Sequence, residues 1–170
     1  VSATLSVVEP VSSGIGGGGF FLLHDAKSGR DVFIDARETA PASAKPSLYL
    51  DAKGQLDREK AEAGPLSAGI PGLPAALVYV AKKYGRLPLS VSLAPAIRIA
   101  RQGFDLYPRM IDSYADRREE IDRYAGSRKL FLYDGDPPEQ GEKFVEPELA
   151  ATLEQLGKDG GESFYRGPLA

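Results

Sequence analysis

The sequence predicts an α+β fold in which one β-hairpin near the start of the chain is followed by a series of helices. Two short runs, 20–24 and 31–36, are rich in aromatic and branched side chains, as strands are. After residue 72, apolar residues recur at helical spacing instead. The two patterns do not alternate and no internal repeat is present, so a layered α+β architecture fits better than a βαβ one. The hairpin is expected to belong to a sheet that is completed elsewhere.

Turn-forming residues mark the ends of the hairpin strands. Residues 25–30 (DAKSGR) separate the two runs and contain the Ser-Gly pair that is common in tight turns. Residues 40–66 are rich in Ala, Pro, Lys and Asp, with a further turn signal at 51–54 (DAKG). They predict an irregular excursion over the surface.

Four helices are predicted from apolar spacing, with Pro near their starts and Gly near their ends. One follows 69–72 and closes at Gly85, one runs from Pro88 to Gly103, one from about Pro108 to Tyr124, and one starts at Pro147. The predicted buried faces are Leu89, Leu93, Ile97 and Ala100 in the second helix, and Leu149, Leu153 and Leu156 in the last. Residues 130–133 (LFLY) predict a short extended piece before a turn at 134–138 (DGDPP).

Composition excludes several classes of function. The net charge of −3 and a pI of about 5.3 give no reason to expect nucleic-acid binding. The chain has no cysteine, which excludes disulfides and thiol catalysis, and its single histidine, His24, excludes a zinc site built from several imidazoles. No apolar run approaches the roughly 20 residues that a membrane span needs. No metal or cofactor is expected.

Both ends of the chain predict that residues 1–170 form a single partial domain of a longer protein. The chain begins at Val1 in a small, apolar stretch that is typical of a helix entered midway. Residues 167–170 (GPLA) are typical of the start of another helix. A sheet cut out of a larger fold would expose its edges and an apolar face, so the isolated piece is expected to self-associate.

The glycine-rich stretch 13–20 (SGIGGGGF) is the most informative local pattern. Residues 14–19 match the G-x-G-x-x-G fingerprint of dinucleotide-binding proteins. That fingerprint requires a strand before it and a helix after it, whereas here a strand follows at Phe20. The nucleotide interpretation therefore fails, and a tight entrance to the sheet, compatible with a pocket wall, is expected.

Arg37 is the sharpest candidate for a binding residue. It lies at the end of the second strand, in the stretch 35–41 (DARETAP), where a side chain can project from a rigid element. A guanidinium grips a carboxylate with two parallel hydrogen bonds, which predicts a small anionic ligand. The alternative is a structural ion pair with Asp35 or Glu38.

The other residues with reactive or charged side chains are predicted to lie on the surface without a catalytic role. Histidine is a common general base, but no Ser or Asp is placed to form a triad with His24, so a strand-end or surface histidine is favoured. The pair Glu119 and Glu120 is expected on a solvated helix face. No convincing nucleophile is present in the chain.

Six motifs, in order along nearly the whole chain, resemble the large subunit of γ-glutamyltranspeptidases. They are SGIGGGGF at 13–20, DARETAP at 35–41, SAGIPG at 67–72, YGRLPL at 84–89, PAIRIARQGF at 95–104 and FYRG at 164–167. The resemblance implies an N-terminal-nucleophile hydrolase with an αββα sandwich, made as a precursor that cleaves itself into two subunits. It also implies that the N-terminal threonine of the small subunit transfers the γ-glutamyl group of glutathione or related amides to water, amino acids or peptides.

The same resemblance assigns a role to Arg37, which would bind the α-carboxylate of the glutamyl group. The family's nucleophile lies in a Thr-Thr-His-type motif, and none of Thr4, Thr39 and Thr152 is followed by histidine. The chain is therefore expected to contain one substrate-binding residue and no catalytic residue, and to be inactive alone. Its implied partners are a γ-glutamyl substrate, the small subunit and the rest of the large subunit, in the periplasm or outside the cell.

Two alternatives remain open at the level of sequence. One is an acylase of the same fold that removes glutaryl-type side chains from β-lactams such as cephalosporins. The other is a non-catalytic structural or binding homologue that never matures.

Overall fold

A computed structural model of the chain describes residues 1–167 and 169–170. The predicted helix start at 167–170 includes Pro168, which lies outside the described residues. The chain divides into two compact units, one formed by Val1–Gly14 together with Val78–Ala170 and the other by Ile15–Leu77. The α+β class predicted from sequence is confirmed by the elements of both units.

The unit of residues 15–77 contains the predicted hairpin. Strand β1 (Gly19–Asp25) pairs antiparallel with β2 (Arg30–Ala36), and Phe20 lies opposite Asp35. The turn closes because the Asp25 carboxylate accepts hydrogen bonds from the Lys27 backbone N–H (3.0 Å) and the Ser28 hydroxyl (2.6 Å). The hairpin prediction is thus confirmed, with strands one or two residues longer than expected.

One face of the hairpin is apolar and exposed. Phe20, Leu22 and Phe33 are 58%, 76% and 63% exposed, and the two phenylalanine rings stack with centroids 5.4 Å apart. Within the described residues this sheet has two strands. A pair of strands with a bare aromatic face is the arrangement expected of a sheet that is completed elsewhere.

Residues 40–66 are mostly irregular, as predicted, with three short helical pieces. These are single 3₁₀ turns at Pro46–Tyr49 and Pro65–Ser67 and a short helix at Arg58–Glu62, which is labelled α2 because helix α1 (Ser2–Val8) precedes the hairpin. Asp57 caps α2 by accepting a hydrogen bond from the Lys60 N–H, and the Tyr49 hydroxyl donates to the Leu66 carbonyl at 2.8 Å.

Three of the remaining helices, which begin at residues 73, 89 and 147, follow the predicted boundaries closely, and the others were not predicted with the boundaries observed. The remaining helices are α1 (Ser2–Val8), α3 (Leu73–Tyr84), α4 (Leu89–Gln102), α5 (Pro108–Asp116), α6 (Arg118–Asp122), α7 (Ala125–Phe131), α8 (Pro147–Asp159) and α9 (Glu162–Arg166). A two-residue ladder joins β3 (Phe104–Asp105) to β4 (Lys143–Phe144). No helix in residues 1–167 or 169–170 is long and apolar enough to cross a membrane.

Helices α4 and α8 pack against each other through the apolar faces that their sequences predict. The residues buried there are Leu93, Ala96 and Ala100 in α4 and Ala150, Leu153 and Leu156 in α8. A Cβ on Gly157 would lie 3.1 Å from the Ser90 Cα, so the two backbones approach closely. The predicted stripe is shifted in both helices, because Ala96 is fully buried in α4 whereas Leu89 and Ile97 are only half-buried, and Ala150 is fully buried in α8 whereas Leu149 is only half-buried.

The prediction of one helix from Pro108 to Tyr124 is wrong. The helix breaks at Arg117 (φ −111°, ψ 15°), which ends α5 and starts α6. The Arg118 guanidinium donates to the Gly135 carbonyl at 2.9 Å, and Ile121 is buried. This hydrogen bond of Arg118 lies at the start of the second helix, next to the break.

The prediction of an extended piece at 130–133 is also wrong for its first half. Leu130 and Phe131 end the helix α7, whereas Leu132 is extended (φ −116°, ψ 135°) and Tyr133 forms an isolated β-bridge. The Phe131 ring lies 5.2 Å from that of Tyr114 and 6.0 Å from that of Phe144. This aromatic packing outweighs the local strand preference of the residues. The predicted turn is confirmed, with Tyr133 and Asp136 bridged across it.

Candidate anion-binding site

The chain around Arg37 is enclosed by backbone from two other motifs. A Cβ on Gly18 would lie 2.5 Å from the Ala36 carbonyl oxygen and 2.8 Å from the Arg37 Cα. A Cβ on Gly72 would collide with the same Ala36 oxygen and lie 2.6 Å from that of Arg37. Real Cβ atoms do not approach so closely, so both positions require glycine.

Hydrogen bonds hold these segments together. Thr39 and Ile70 exchange backbone hydrogen bonds of 3.1 and 2.8 Å. The Gly17 carbonyl accepts from the N–H groups of Gly72 (3.1 Å) and Leu73 (3.0 Å). Three motifs that are far apart in sequence therefore meet at the end of β2, and the glycine run lines the sheet entrance as predicted.

The Arg37 side chain projects from this support and is 63% exposed. Its Nε donates a hydrogen bond of 3.0 Å to Glu38 Oε2, and its Cζ lies 5.9 Å from the centre of the Phe20 ring. The Arg37 backbone N–H donates to Asp35 Oδ1 at 3.0 Å. Within the described part of the chain, neither terminal nitrogen of the guanidinium has a hydrogen-bond partner. Those two nitrogens are available for a carboxylate.

The alternative interpretation of Arg37, a structural ion pair with Asp35 or Glu38, is therefore partly observed. Arg37 does pair with Glu38, but it does so through Nε alone, and Asp35 engages its backbone rather than its guanidinium. A pairing of this kind fixes the plane of the guanidinium and leaves its outer edge open.

The sequence names Glu38 as a possible ion-pair partner of Arg37 but does not predict that it holds the guanidinium through Nε alone. Its own backbone N–H lowers the pKa of its carboxyl group most, and the hydrogen bond and charge of Arg37 lower it further. The group is thus held as a carboxylate. The adjacent Arg-Glu pair at a strand end was the available signal, but sequence alone does not say which guanidinium nitrogen the glutamate engages.

His24 lies on the surface of the hairpin, as predicted. Its Nδ1 is 2.7 Å from Asp31 Oδ1, directly across the strand pair, and the two side chains are 62% and 71% exposed. Because both side chains are exposed, the imidazole does not lie in an enclosed site where it could act on a bound substrate. In residues 1–167 and 169–170, no cluster of three or more His, Cys, Asp or Glu side chains is arranged to hold a metal ion.

Comparison with known proteins identifies the fold and the family. The family model described as gamma-glutamyltranspeptidase matches residues 1–170. The glutathione hydrolase proenzyme of Escherichia coli (strain K12) is 34% identical over 171 residues, which cover 100% of this chain and 29% of that protein. The crystal structure of Helicobacter pylori gamma-glutamyltranspeptidase matches with a TM-score of 0.95 at 36% identity, over 99% of this chain and 48% of that one.

A cephalosporin acylase from Bacillus halodurans has the same architecture in this region, with a TM-score of 0.85 at 30% identity over 99% of this chain and 32% of that one. The fold is therefore the α+β fold shared by gamma-glutamyltranspeptidases and related acylases. The chain belongs to the gamma-glutamyltranspeptidase family. It spans 29% of the length of its E. coli relative.

Proposed function

We propose that this chain supplies the α-carboxylate grip of an enzyme that transfers the γ-glutamyl group of glutathione or related amides to water, amino acids or peptides. The observation that carries the proposal is the geometry of Arg37. Its Nε is engaged by Glu38, and its two outer nitrogens are open at the end of a rigid strand. A carboxylate bound there in bidentate fashion would have its position and orientation fixed.

Chemistry at the amide bond is assigned to the rest of the protein. In this proposal the N-terminal threonine of the small subunit attacks the γ-carbonyl carbon and forms an ester with the glutamyl group while the amine leaves. Water or an acceptor amine then takes the glutamyl group from the threonine. Arg37 contributes by holding the far end of the donor so that its γ-carbonyl meets the nucleophile. No catalytic residue is assigned to this chain.

The test uses the full-length protein and three anilide substrates. γ-Glutamyl-p-nitroanilide carries both the α-amine and the α-carboxylate, the glutaryl anilide lacks the amine, and the 4-aminobutyryl anilide lacks the carboxylate. In Arg37→Ala, kcat/KM for the two carboxylate-bearing substrates should fall by roughly 30- to 1000-fold, because a charge-assisted bidentate contact contributes on the order of 2–4 kcal/mol. Turnover of the 4-aminobutyryl anilide should not change. An equal loss on all three substrates would remove Arg37 from carboxylate binding.

The second candidate is a glutaryl acylase, which the likeness to the cephalosporin acylase favours. The same substrates decide between the two. A transpeptidase should turn over the γ-glutamyl anilide faster than the glutaryl one, and an acylase should show the reverse order. A full-length protein that neither cleaves itself nor turns over any of the three would be a non-catalytic homologue.

The partner proposed for the exposed hairpin face is the remainder of the same precursor. The bare face of Phe20, Leu22 and Phe33 supports this, because an apolar surface of this kind is normally covered. The relative from E. coli is named a proenzyme, which agrees with maturation by cleavage. Periplasmic or secreted localisation is proposed from the family alone, and cell fractionation with an antibody to the chain tests it.

A further inference from the structure

The exposed face of the hairpin carries Arg37 as well as the apolar side chains. Because successive side chains of a strand point to opposite faces, Phe33, Asp35 and Arg37 share one side of β2 and its continuation. Phe20 lies directly opposite Asp35 in the strand pair, so it projects on that side too. The apolar face and the candidate anion-binding site therefore meet at Phe20.

The Phe20 ring is in contact with the charge of Arg37. The Arg37 Cζ lies over the ring, 5.9 Å from its centre, which is within the range of a cation–π contact. Phe33 stacks on Phe20 with ring centres 5.4 Å apart and an angle of 28° between the rings. The position of the Phe20 ring is thus fixed by a ladder partner in the backbone and by a stacked neighbour in the side chains.

Glu38 and Phe20 restrain the guanidinium in different ways. Glu38 accepts a hydrogen bond from Nε, which lies in the plane of the guanidinium. The Phe20 ring attracts the charge as a whole and is not a conventional hydrogen-bond acceptor, so it limits movement of the group without engaging the terminal nitrogens. Those two nitrogens, which have no partner among the described residues, stay available to a carboxylate in the same plane.

We propose that Phe20 is a positioning residue for Arg37, whose guanidinium it holds so that the two terminal nitrogens meet the α-carboxylate of the donor. This inference rests on the proposed function, to which it adds a second side chain that prepares the carboxylate site. The contact gains strength when a bound donor excludes water, because a cation–π contact contributes more when it is desolvated.

Four variants of the full-length protein test the role of the ring. Phe20→Leu and Phe20→Met each keep an apolar side chain and remove the aromatic face, so that one can replace the other if it does not fold. Phe20→Tyr restores a ring. Tyr79→Leu is the matched control, because Tyr79 makes a contact of the same kind with Lys83 Nζ at 5.2 Å in the other compact unit. The thermal midpoint of each variant shows that it is folded.

The expected effect is a change in KM that depends on the carboxylate of the substrate. KM for γ-glutamyl-p-nitroanilide should rise by about three- to tenfold in Phe20→Leu and Phe20→Met at unchanged kcat, and return toward the wild-type value in Phe20→Tyr. KM for the 4-aminobutyryl anilide should stay the same, and Tyr79→Leu should change neither constant. Phe20→Leu should add nothing to Arg37→Ala, since a residue that acts only through Arg37 has no effect once the guanidinium is gone.

The outcomes separate this inference from the proposed function. Unchanged KM in a folded Phe20→Leu or Phe20→Met, together with the expected selective loss in Arg37→Ala, would overturn the role of Phe20 and leave the proposed function standing. An equal loss on both anilides, or a full effect of Phe20→Leu in the Arg37→Ala background, would show that Phe20 has only a structural role. Equal loss in Arg37→Ala on all three anilides would remove both.

Discussion

Arg37 Nε lies 3.0 Å from Oε2 of Glu38, the next residue in the chain. The guanidinium is thereby held at one edge by a group that is itself held as a carboxylate, and the opposite edge is left open. Because the support comes from an adjacent residue on a glycine-enclosed segment, the orientation of the guanidinium is fixed before any ligand arrives.

Glu38 is accordingly expected to act as a positioning residue for Arg37. In Glu38→Ala the guanidinium loses its fixed plane, and KM for γ-glutamyl-p-nitroanilide should rise by about tenfold, which corresponds to one charge-assisted hydrogen bond. Glu38→Gln keeps an acceptor oxygen and should restore part of the loss. Steady-state kinetics measure the effect, and turnover of the 4-aminobutyryl anilide, which has no carboxylate, should stay unchanged. A parallel loss on that substrate would mean that Glu38 has only a structural role.

The glycine enclosure predicts a sharp contrast between two alanine substitutions. Gly72→Ala should lower the free energy of unfolding by roughly 1–3 kcal/mol, because its Cβ would collide with the Ala36 carbonyl. Gly16 belongs to the same glycine run as Gly18, but a Cβ at Gly16 would meet nothing within 4 Å. Gly16→Ala should therefore change the free energy of unfolding by no more than about 0.5 kcal/mol. Urea unfolding of the full-length protein measures both. Equal effects would contradict the close approach of these segments.

Glu146 should make stability depend on pH. Burial raises its pKa from 4.5 to about 7 in the folded chain, so the unfolded chain loses this proton first as the pH rises. The contribution of Glu146 to the free energy of unfolding should therefore fall by up to about 3 kcal/mol between about pH 4.5 and pH 7. Above about pH 7 it should stay constant. Glu146→Gln should lack this fall. The measurement is the difference in unfolding free energy between wild type and variant across that range, and a difference independent of pH would contradict the raised pKa.

Two tyrosines should respond in opposite ways to loss of the hydroxyl. The Tyr114 hydroxyl is buried without a hydrogen-bond partner in the described residues, so Tyr114→Phe should be neutral or stabilising by up to about 1 kcal/mol. The Tyr133 hydroxyl donates to the Lys143 carbonyl at 2.6 Å, so Tyr133→Phe should cost about 1 kcal/mol. Thermal or urea unfolding compares the pair. A large loss in Tyr114→Phe would show that its hydroxyl has a partner, such as a buried water.

The predictions from sequence were most successful where the information is local. Helix α4 lies between Pro88 and Gly103 because proline favours a helix start and the positive φ of Gly103 (75°) favours its end. The hairpin was equally well marked by the composition of its strands and by the turn chemistry of Asp25 and Ser28. In both cases the signal is carried by residues within one element and needs no distant contact.

The predictions failed where a distant contact decides the backbone. The helical state of Phe131 accompanies ring packing against Tyr114 and Phe144, and the break at Arg117 adjoins a hydrogen bond from Arg118 to the carbonyl of Gly135, 17 residues further along the chain. Patterns within a short window cannot report such packing.

The sequence by itself determined the family, the α+β class and the choice of Arg37, because motifs, periodicity and residue chemistry are all written along the chain. Only the tertiary structure decided that Gly18 and Gly72 enclose Arg37, that Glu38 engages Nε rather than the outer nitrogens, and that Glu146 is buried without a partner. These are relationships between atoms in space. They depend on how closely atoms approach and how deeply they are buried. Close approach sets the free-energy cost of adding a Cβ at a glycine and the direction of a hydrogen bond, and burial sets the pKa of a carboxyl group.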